Sequence, residues 1–176
     1  PCPPLSSRSP PGSPPPPSRR LCSEWGDTGP VALKGVASGE DAKQAMETGF
    51  GAVWVSNHGG RQLEDSVATF DVLPEVRKAV GPDVEVILDG GVRRGIDVVK
   101  AIARGADSVA CGRAYLFGLA AGGFNGVDKS LSLLSRDLYL AMGLLGCRSV
   151  AELKEKAPLA LKKADPWGEQ FPGKSM

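Results

Sequence analysis

Between Pro30 and Ala121, short apolar runs alternate with longer segments whose apolar residues recur at helical spacing, and the alternation occurs four times. Val31-Ala-Leu-Lys-Gly35 precedes a helix predicted from Gly39 to Thr48, and Ala52-Val-Trp-Val-Ser56 precedes one around Leu73 to Val80. Val84-Glu-Val-Ile-Leu-Asp89 leads through Gly90-Gly91 into a helix near Ile96 to Arg104, and Ser108-Val-Ala-Cys-Gly112 leads into Ala114 to Ala121. Such runs, bounded by glycine or charged turns, read as strands. Strands alternating with helices call for a parallel sheet, because a parallel pair needs a long crossover connection. Val127 to Leu145 and Val150 to Ala164 are helical by their leucine and alanine spacing and are expected to cover the end of the sheet or barrel.

The first twenty residues break the pattern, with nine prolines, five serines and no acidic residue. That composition cannot bury a core, so residues 1–28 are expected to be a disordered tail, 29–166 the folded part and 167–176 a flexible end. An acid-poor, Arg- and Ser-containing start is shared with transit peptides, but this one is too proline-rich for an amphipathic helix and begins without methionine. A fragment or a doubtful gene model is the expectation, rather than a targeting segment. The folded part has the composition of a soluble globular α/β protein, with 41% hydrophobic and 23% charged residues overall and no stretch long enough to cross a membrane. The net charge of +1 argues against general attraction to nucleic acid, and Arg8, Arg19 and Arg20 of the tail account for more than that surplus. Cys2, Cys22, Cys111 and Cys147 are scattered without a CxxC pair, which fits isolated thiols in a reducing compartment better than a disulfide framework or a zinc site.

Candidate chemistry concentrates in Ser56-Asn-His-Gly-Gly-Arg-Gln62, which holds the only histidine of the chain, three positions from an arginine and flanked by glycines. The strand before it delivers Ser56, His58 and Arg61 into a glycine loop. Imidazole exchanges protons near neutral pH, and the guanidinium of Arg61 is a fork suited to a carboxylate, so one loop can supply both a base and an anchor for an acid substrate. In alternating βα folds the active site lies at the carboxyl ends of the strands. Polar residues fall at that point four times here: Lys34, His58 with Arg61, Asp89 through Arg93, and Gly112-Arg113. Any one of them alone is a solvated loop charge; their recurrence at equivalent points argues for a shared site. Gly90-Gly91-Val92-Arg93 and Gly112-Arg113 also place glycine amides and guanidiniums just before two helices, an arrangement that favours a phosphate.

These motifs resemble those of the flavin-dependent 2-hydroxy acid oxidases and dehydrogenases, the family of glycolate oxidase and flavin-linked L-lactate dehydrogenase. SNHGGRQ at Ser56 to Gln62 is similar to that family's active-site signature, and the likeness extends to LKG at Leu33 to Gly35, DGGVRRGIDVVKA at Asp89 to Ala101 and GRAYLFGLAAGG at Gly112 to Gly123. It covers nearly everything from Pro30 to about Leu153, in the family's order. The resemblance implies a TIM (β/α)8 barrel with FMN at its carboxyl face, oxidising a small L-2-hydroxy acid of glycolate or lactate type to the 2-oxo acid. Lys34 would lie against flavin N1 and the C2 carbonyl, where a cation stabilises the negative charge of the reduced ring. His58 would be the base and Arg61 the anchor of the substrate carboxylate, with His58 also contacting substrate. Ser56 would contact the flavin, and Asp89, Gly90, Gly91, Val92, Arg93, Gly112 and Arg113 would bind its ribityl and phosphate parts. Asp89 would instead, or also, orient the His58 imidazole.

The likeness also implies an incomplete barrel. The chain holds about the last four βα units plus the C-terminal helices, whereas a complete barrel takes roughly 250 residues. The other half would carry substrate-binding tyrosines, a second carboxylate-binding arginine and most of the loops against the flavin. A half-barrel exposes two strand edges and an apolar inner face, so homo-oligomerisation or self-association of half-barrels is expected. The alternative to an enzyme is a catalytically inactive half-barrel that binds FMN weakly or acts by association; another FMN barrel enzyme, such as an isomerase or nucleotide dehydrogenase, is disfavoured by the histidine-arginine signature. The electron acceptor, whether oxygen, quinone or a cytochrome, is left open, as is the compartment, since Gly173-Lys-Ser-Met176 does not match a peroxisomal Ser-Lys-Leu ending. Phe117 and Leu119 read as packing residues.

Overall fold

The computed structural model describes residues 17–161. Its four strands form one parallel sheet in sequence order: β1 (Ala32–Val36), β2 (Ala52–Val55), β3 (Glu85–Leu88) and β4 (Ser108–Val109). Helix α1 (Pro17–Trp25) precedes the sheet, and α2 (Gly39–Thr48), α3 (Thr69–Val80) and α4 (Gly95–Ala103) make the crossovers. Helices α5 (Arg113–Leu144) and α6 (Val150–Ala160) follow β4. Helices α2 and α6 begin at Ser38 and Ser149, whose side chains accept the amides of Asp41 and Glu152.

Period-two alternation gives the sheet two different faces. Val36, Val53, Val55, Val86 and Leu88 point into a core shared with Ala42, Ala45, Leu73, Val76, Val99 and Ile102 of the crossover helices. On the opposite face Lys34, Trp54, Ile87 and Ser108 lie in one cross-strand row, with Ala32 and Glu85 nearer the amino ends. The Ser108 hydroxyl donates to Glu85 across this face at 3.0 Å. The inner face is therefore mixed in polarity, not the apolar surface expected from the strand composition. One-sided exposure lets lysine and glutamate take positions that a strand buried on both faces would close to them.

Several boundaries also differ. The expected disordered tail reaches to residue 28, yet Pro17–Trp25 is helical and continues into a 3-10 turn at Gly26–Thr28; residues 1–16 lie outside the described part. Cys22 supplies the reason, packing against the core with its Cβ beside Gly49. Helix α3 starts at Thr69, before Pro74, because Thr69, Val72 and Leu73 are all buried. Strand β4 is two residues long, and α6 ends at Ala160, with Ala164 and the expected flexible end outside the described residues. Helix α5 joins the two helices predicted as separate, but Gly122 and Gly123 leave helical geometry and fold its limbs back on each other. A Cβ at Gly118 would come 2.4 Å from the Gly126 carbonyl oxygen, so these two glycines permit the crossing.

Phe117 is 71% exposed and Leu119 is also exposed, so neither packs as expected; helical periodicity reports which face is apolar but not whether anything covers it. The second limb of α5 does cover α4. A Cβ at Gly95 would lie 2.0 Å from the backbone nitrogen of Leu138. Since backbone cannot step aside as a side chain does, Gly95→Ala is expected to cost about 1–3 kcal/mol, read as a lower urea midpoint.

At the amino ends of the strands Arg77 of α3 ties the layers together. Its guanidinium donates to the carbonyls of Gly105 (2.7 Å), Gly81 (2.7 Å) and Val84 (2.8 Å) and pairs with Asp107. Asp107 also accepts from Val86 N–H at 2.9 Å and Lys154 of α6 at 2.7 Å. Burial alone would raise the Asp107 pKa, but these hydrogen bonds and the Arg77 charge together outweigh it and hold the carboxyl below the ordinary carboxylate range.

Candidate active site

The carboxyl ends of all four strands open into one cleft of about 1310 Å³, lined among others by Lys34, His58, Arg61, Asp89, Arg93 and Arg113. Residues separated by up to 79 positions in sequence thus meet because parallel strands deliver their following loops to the same edge. Gly90, Gly91, Val92 and Gly112 line the same cleft.

Lys34 is the centre of the floor. Its ammonium donates to Ser56 Oγ at 2.9 Å, pairs with Asp89 Oδ2 at 3.1 Å and stands 5.3 Å from the Trp54 ring centroid. Ser56, only 1% exposed, also accepts the His58 backbone N–H at 3.2 Å. One buried hydroxyl therefore holds both the lysine head and the start of the histidine loop. Ser56 lies beneath the cleft rather than lining it.

The strand register shifts between Lys34 and Val36, and Gly35 sits there with φ of +101°. A Cβ at Gly35 would point at His58 Cε1 from 3.3 Å, so this glycine leaves the imidazole its place. His58 itself has a left-handed backbone, φ +55°, followed by Gly59 and Gly60 at +70° each. A non-glycine residue in that region costs roughly 1–2 kcal/mol, and such strain tends to persist at functional positions. Arg113 braces the loop from the opposite side, donating to the Gly59 carbonyl at 3.0 Å. His58 and Arg61 are both exposed to the cleft.

Two expectations about the site change in detail. Asp89 bonds Lys34, and no hydrogen bond joins it to the His58 ring among the described residues; its second oxygen, Oδ1, is buried without a partner. Both glycine loops were expected to offer bare amides before a helix, but the Asp97 carboxylate accepts the N–H groups of Arg93 and Arg94 at 3.1 and 3.0 Å. An acid three residues into a helix caps its own amino end, a signal present in the RRGID sequence. The amino end of α5 has no side-chain cap, so Gly112-Arg113 keeps the open arrangement. Gly91 and Gly112 have open space where a Cβ would stand.

Trp54, Asn57 and Thr69 were not singled out from sequence. Strand alternation could have placed Trp54 beside Lys34, since the two are cross-strand partners. Nothing local signals Thr69, whose hydroxyl donates to the Asp89 carbonyl from 20 residues away at 2.6 Å.

A flavin mononucleotide asks for a cation near its ring, a hydrogen-bond acceptor for its ribityl hydroxyls and a phosphate pocket. Lys34 with its buried support, the partnerless Asp89 oxygen and the uncapped α5 end with Arg113 supply these features, so the residues present fit the group. Among the described residues no group of side chains is arranged to hold a metal ion, and no helix is long and apolar enough to cross a membrane.

Comparison with known proteins agrees with this chemistry. The family model for FMN-dependent dehydrogenases matches residues 18–159. The chain is 50% identical over 124 residues to an L-lactate oxidase of Nostoc sp., covering 70% of this chain and 34% of that protein. It is 48% identical over 138 residues to human 2-hydroxyacid oxidase 1, covering 76% and 37%. A crystal structure described as a lactate oxidase of Pediococcus acidilactici superposes with a TM-score of 0.75 at 42% identity, covering 79% of this chain and 38% of that one. The chain thus spans about a third of the length of the curated relatives it matches. Four βα units, the helices after them and the sequence between carry one pattern, and the chain belongs to the FMN-dependent dehydrogenase family as part of its α/β barrel.

Proposed function

We propose that the chain carries the base and the cofactor-phosphate end of an oxidoreductase that converts a small L-2-hydroxy acid, of glycolate or lactate type, to the 2-oxo acid. The observation that carries this reading is the convergence of Lys34, Ser56, His58, Arg61 and Asp89 at one sheet edge. Relatives named as lactate and 2-hydroxyacid oxidases support the reaction class.

In this reading the Arg61 guanidinium binds the substrate carboxylate and fixes the hydroxyl-bearing carbon in the cleft. The His58 imidazole takes a proton from the substrate. A hydrogen bond from that ring to the Asp89 carboxylate would orient the imidazole and stabilise its charged form. Bound FMN would supply the acceptor for the electron pair and for the second hydrogen that leave the substrate as it becomes the 2-oxo acid. Lys34 provides a fixed positive charge at the floor, held by Ser56 and Asp89 so that it needs no rearrangement. Arg113, Arg93 and the amides around Gly91 and Gly112 hold the phosphate and ribityl groups. Oxygen, a quinone or a cytochrome completes the cycle by taking the electrons onward.

The second reading, a half-barrel that binds FMN without turnover, draws on the open amino end of α5 at Gly112-Arg113, which can hold a phosphate with no part in proton transfer. One experiment separates the two. The chain is incubated with FMN, freed of excess flavin, and its visible spectrum followed after anaerobic addition of L-lactate or glycolate. Bleaching of retained flavin supports the oxidoreductase; retained flavin that never bleaches supports the binding remnant. Loss of all flavin overturns both for the isolated chain. Arg113→Ala is expected to weaken retention about tenfold or more, since it removes a phosphate-facing charge together with the brace on Gly59.

A further inference from the structure

The turn after β3 is held by a residue outside the cleft. Thr69, the first residue of α3 and only 5% exposed, donates its hydroxyl to the backbone carbonyl of Asp89 at 2.6 Å. The fit is close: a Cβ at Gly90 would stand 2.6 Å from Thr69 Oγ1. Gly90 also has φ of +99° and Gly91 +74°, a turn that glycines permit but do not themselves stabilise. Asn57, the neighbour of His58, donates to the Val67 carbonyl at 3.2 Å and so ties down the segment that leads into Thr69. The Asp89 amide, meanwhile, donates to Val55 at 3.1 Å as the last bond between β2 and β3.

We propose that Thr69 is a positioning residue that sets the Asp89 carboxylate, and through it the Lys34 ammonium, by anchoring the Asp89–Gly91 turn to the amino end of α3. Asp89 is gripped at three points: its amide by Val55, its carbonyl by Thr69 and its carboxylate by Lys34. The first grip belongs to the sheet and the third is the product. The second alone decides where the chain leaves the strand, since the glycines after it allow many paths. Through Asn57 and Val67 the same anchor links the histidine loop to the aspartate loop, so that His58 and Asp89 are referred to one helix end. This role rests on the reading that Lys34 and Asp89 belong to the flavin site.

The test is amide hydrogen exchange in the whole chain, comparing two bonds along β3. The Asp89 N–H reports the carboxyl end, and the Asp107 N–H, which donates to Val86 at 2.8 Å, reports the amino end. Thr69→Val, similar in shape but without the hydroxyl, is expected to speed exchange at Asp89 about tenfold while leaving Asp107 unchanged, and Thr69→Ser is expected to restore it. Equal acceleration at both ends would show general destabilisation and overturn the proposal, as would unchanged exchange at Asp89 or failure of serine to rescue. Should the valine variant not fold, Thr69→Ala, which leaves room for water, is read the same way. Flavin retention by the unsubstituted chain is scored separately. If the exchange pattern holds and no flavin is retained, the function reading fails and the anchoring stands.

Discussion

Replacing His58 by asparagine is expected to lower substrate-driven flavin bleaching by about a thousandfold, the range in which a positioned general base acts. Asparagine is the informative substitution because it tolerates the left-handed backbone that His58 adopts at φ +55°, so the loop keeps its path while the base is lost. The experiment is best done with the 124 matching residues of this chain grafted in place of their counterparts in the Nostoc L-lactate oxidase, to which they are 50% identical. There the rate of bleaching by L-lactate is measured anaerobically, apart from any reoxidation. Binding of the acid is expected to change far less than the rate, because Arg61 holds the carboxylate and only the His58 contact to substrate is lost. A fall of less than about tenfold would remove His58 from the role of base.

The second large effect is on stability and lies at the opposite end of the sheet. Arg77→Met keeps the aliphatic stem but strips partners from the carbonyls of Gly81, Val84 and Gly105 and from Asp107. Leaving several partly buried acceptors unpaired is expected to cost about 3 kcal/mol at pH 7, read by urea denaturation. The pH dependence follows from the lowered Asp107 pKa. A carboxyl whose folded pKa lies below its unfolded value, about 3.9, favours the folded state fully at higher pH. As pH falls below that value the unfolded chain takes up the proton first, and the contribution is lost on passing through the folded pKa. The gap between Arg77→Met and the unsubstituted chain should therefore narrow toward pH 3 without closing, because the carbonyl bonds do not titrate. A gap independent of pH would assign the whole effect to those carbonyls.

Much of the fold was legible because its signals are local. The four apolar runs, the glycine turns and the helical spacing of α2 and α4 translate nearly one to one into elements. So does the clustering of Lys34, His58, Arg61, Asp89 and Arg113, since parallel topology alone brings strand ends together. Less legible were features that depend on what covers a segment. Pro17–Trp25 looks unable to fold by composition, yet Cys22 finds the core. Phe117 looks like core by composition, yet is exposed. The amides of Arg93 and Arg94 look open to a phosphate, yet Asp97 already occupies them.

What the sequence determined by itself was the order of elements, the parallel sheet and the set of side chains offered at its carboxyl edge, because spacing and turn chemistry act over a few residues. Only the tertiary structure decided which of those side chains hold one another. That Lys34 is shared by Ser56 and Asp89, that Thr69 anchors the Asp89 carbonyl, and that Gly35 makes room for His58 are contacts between separate loops. Their distances are set by sheet register and helix packing, and no periodicity along the chain encodes them.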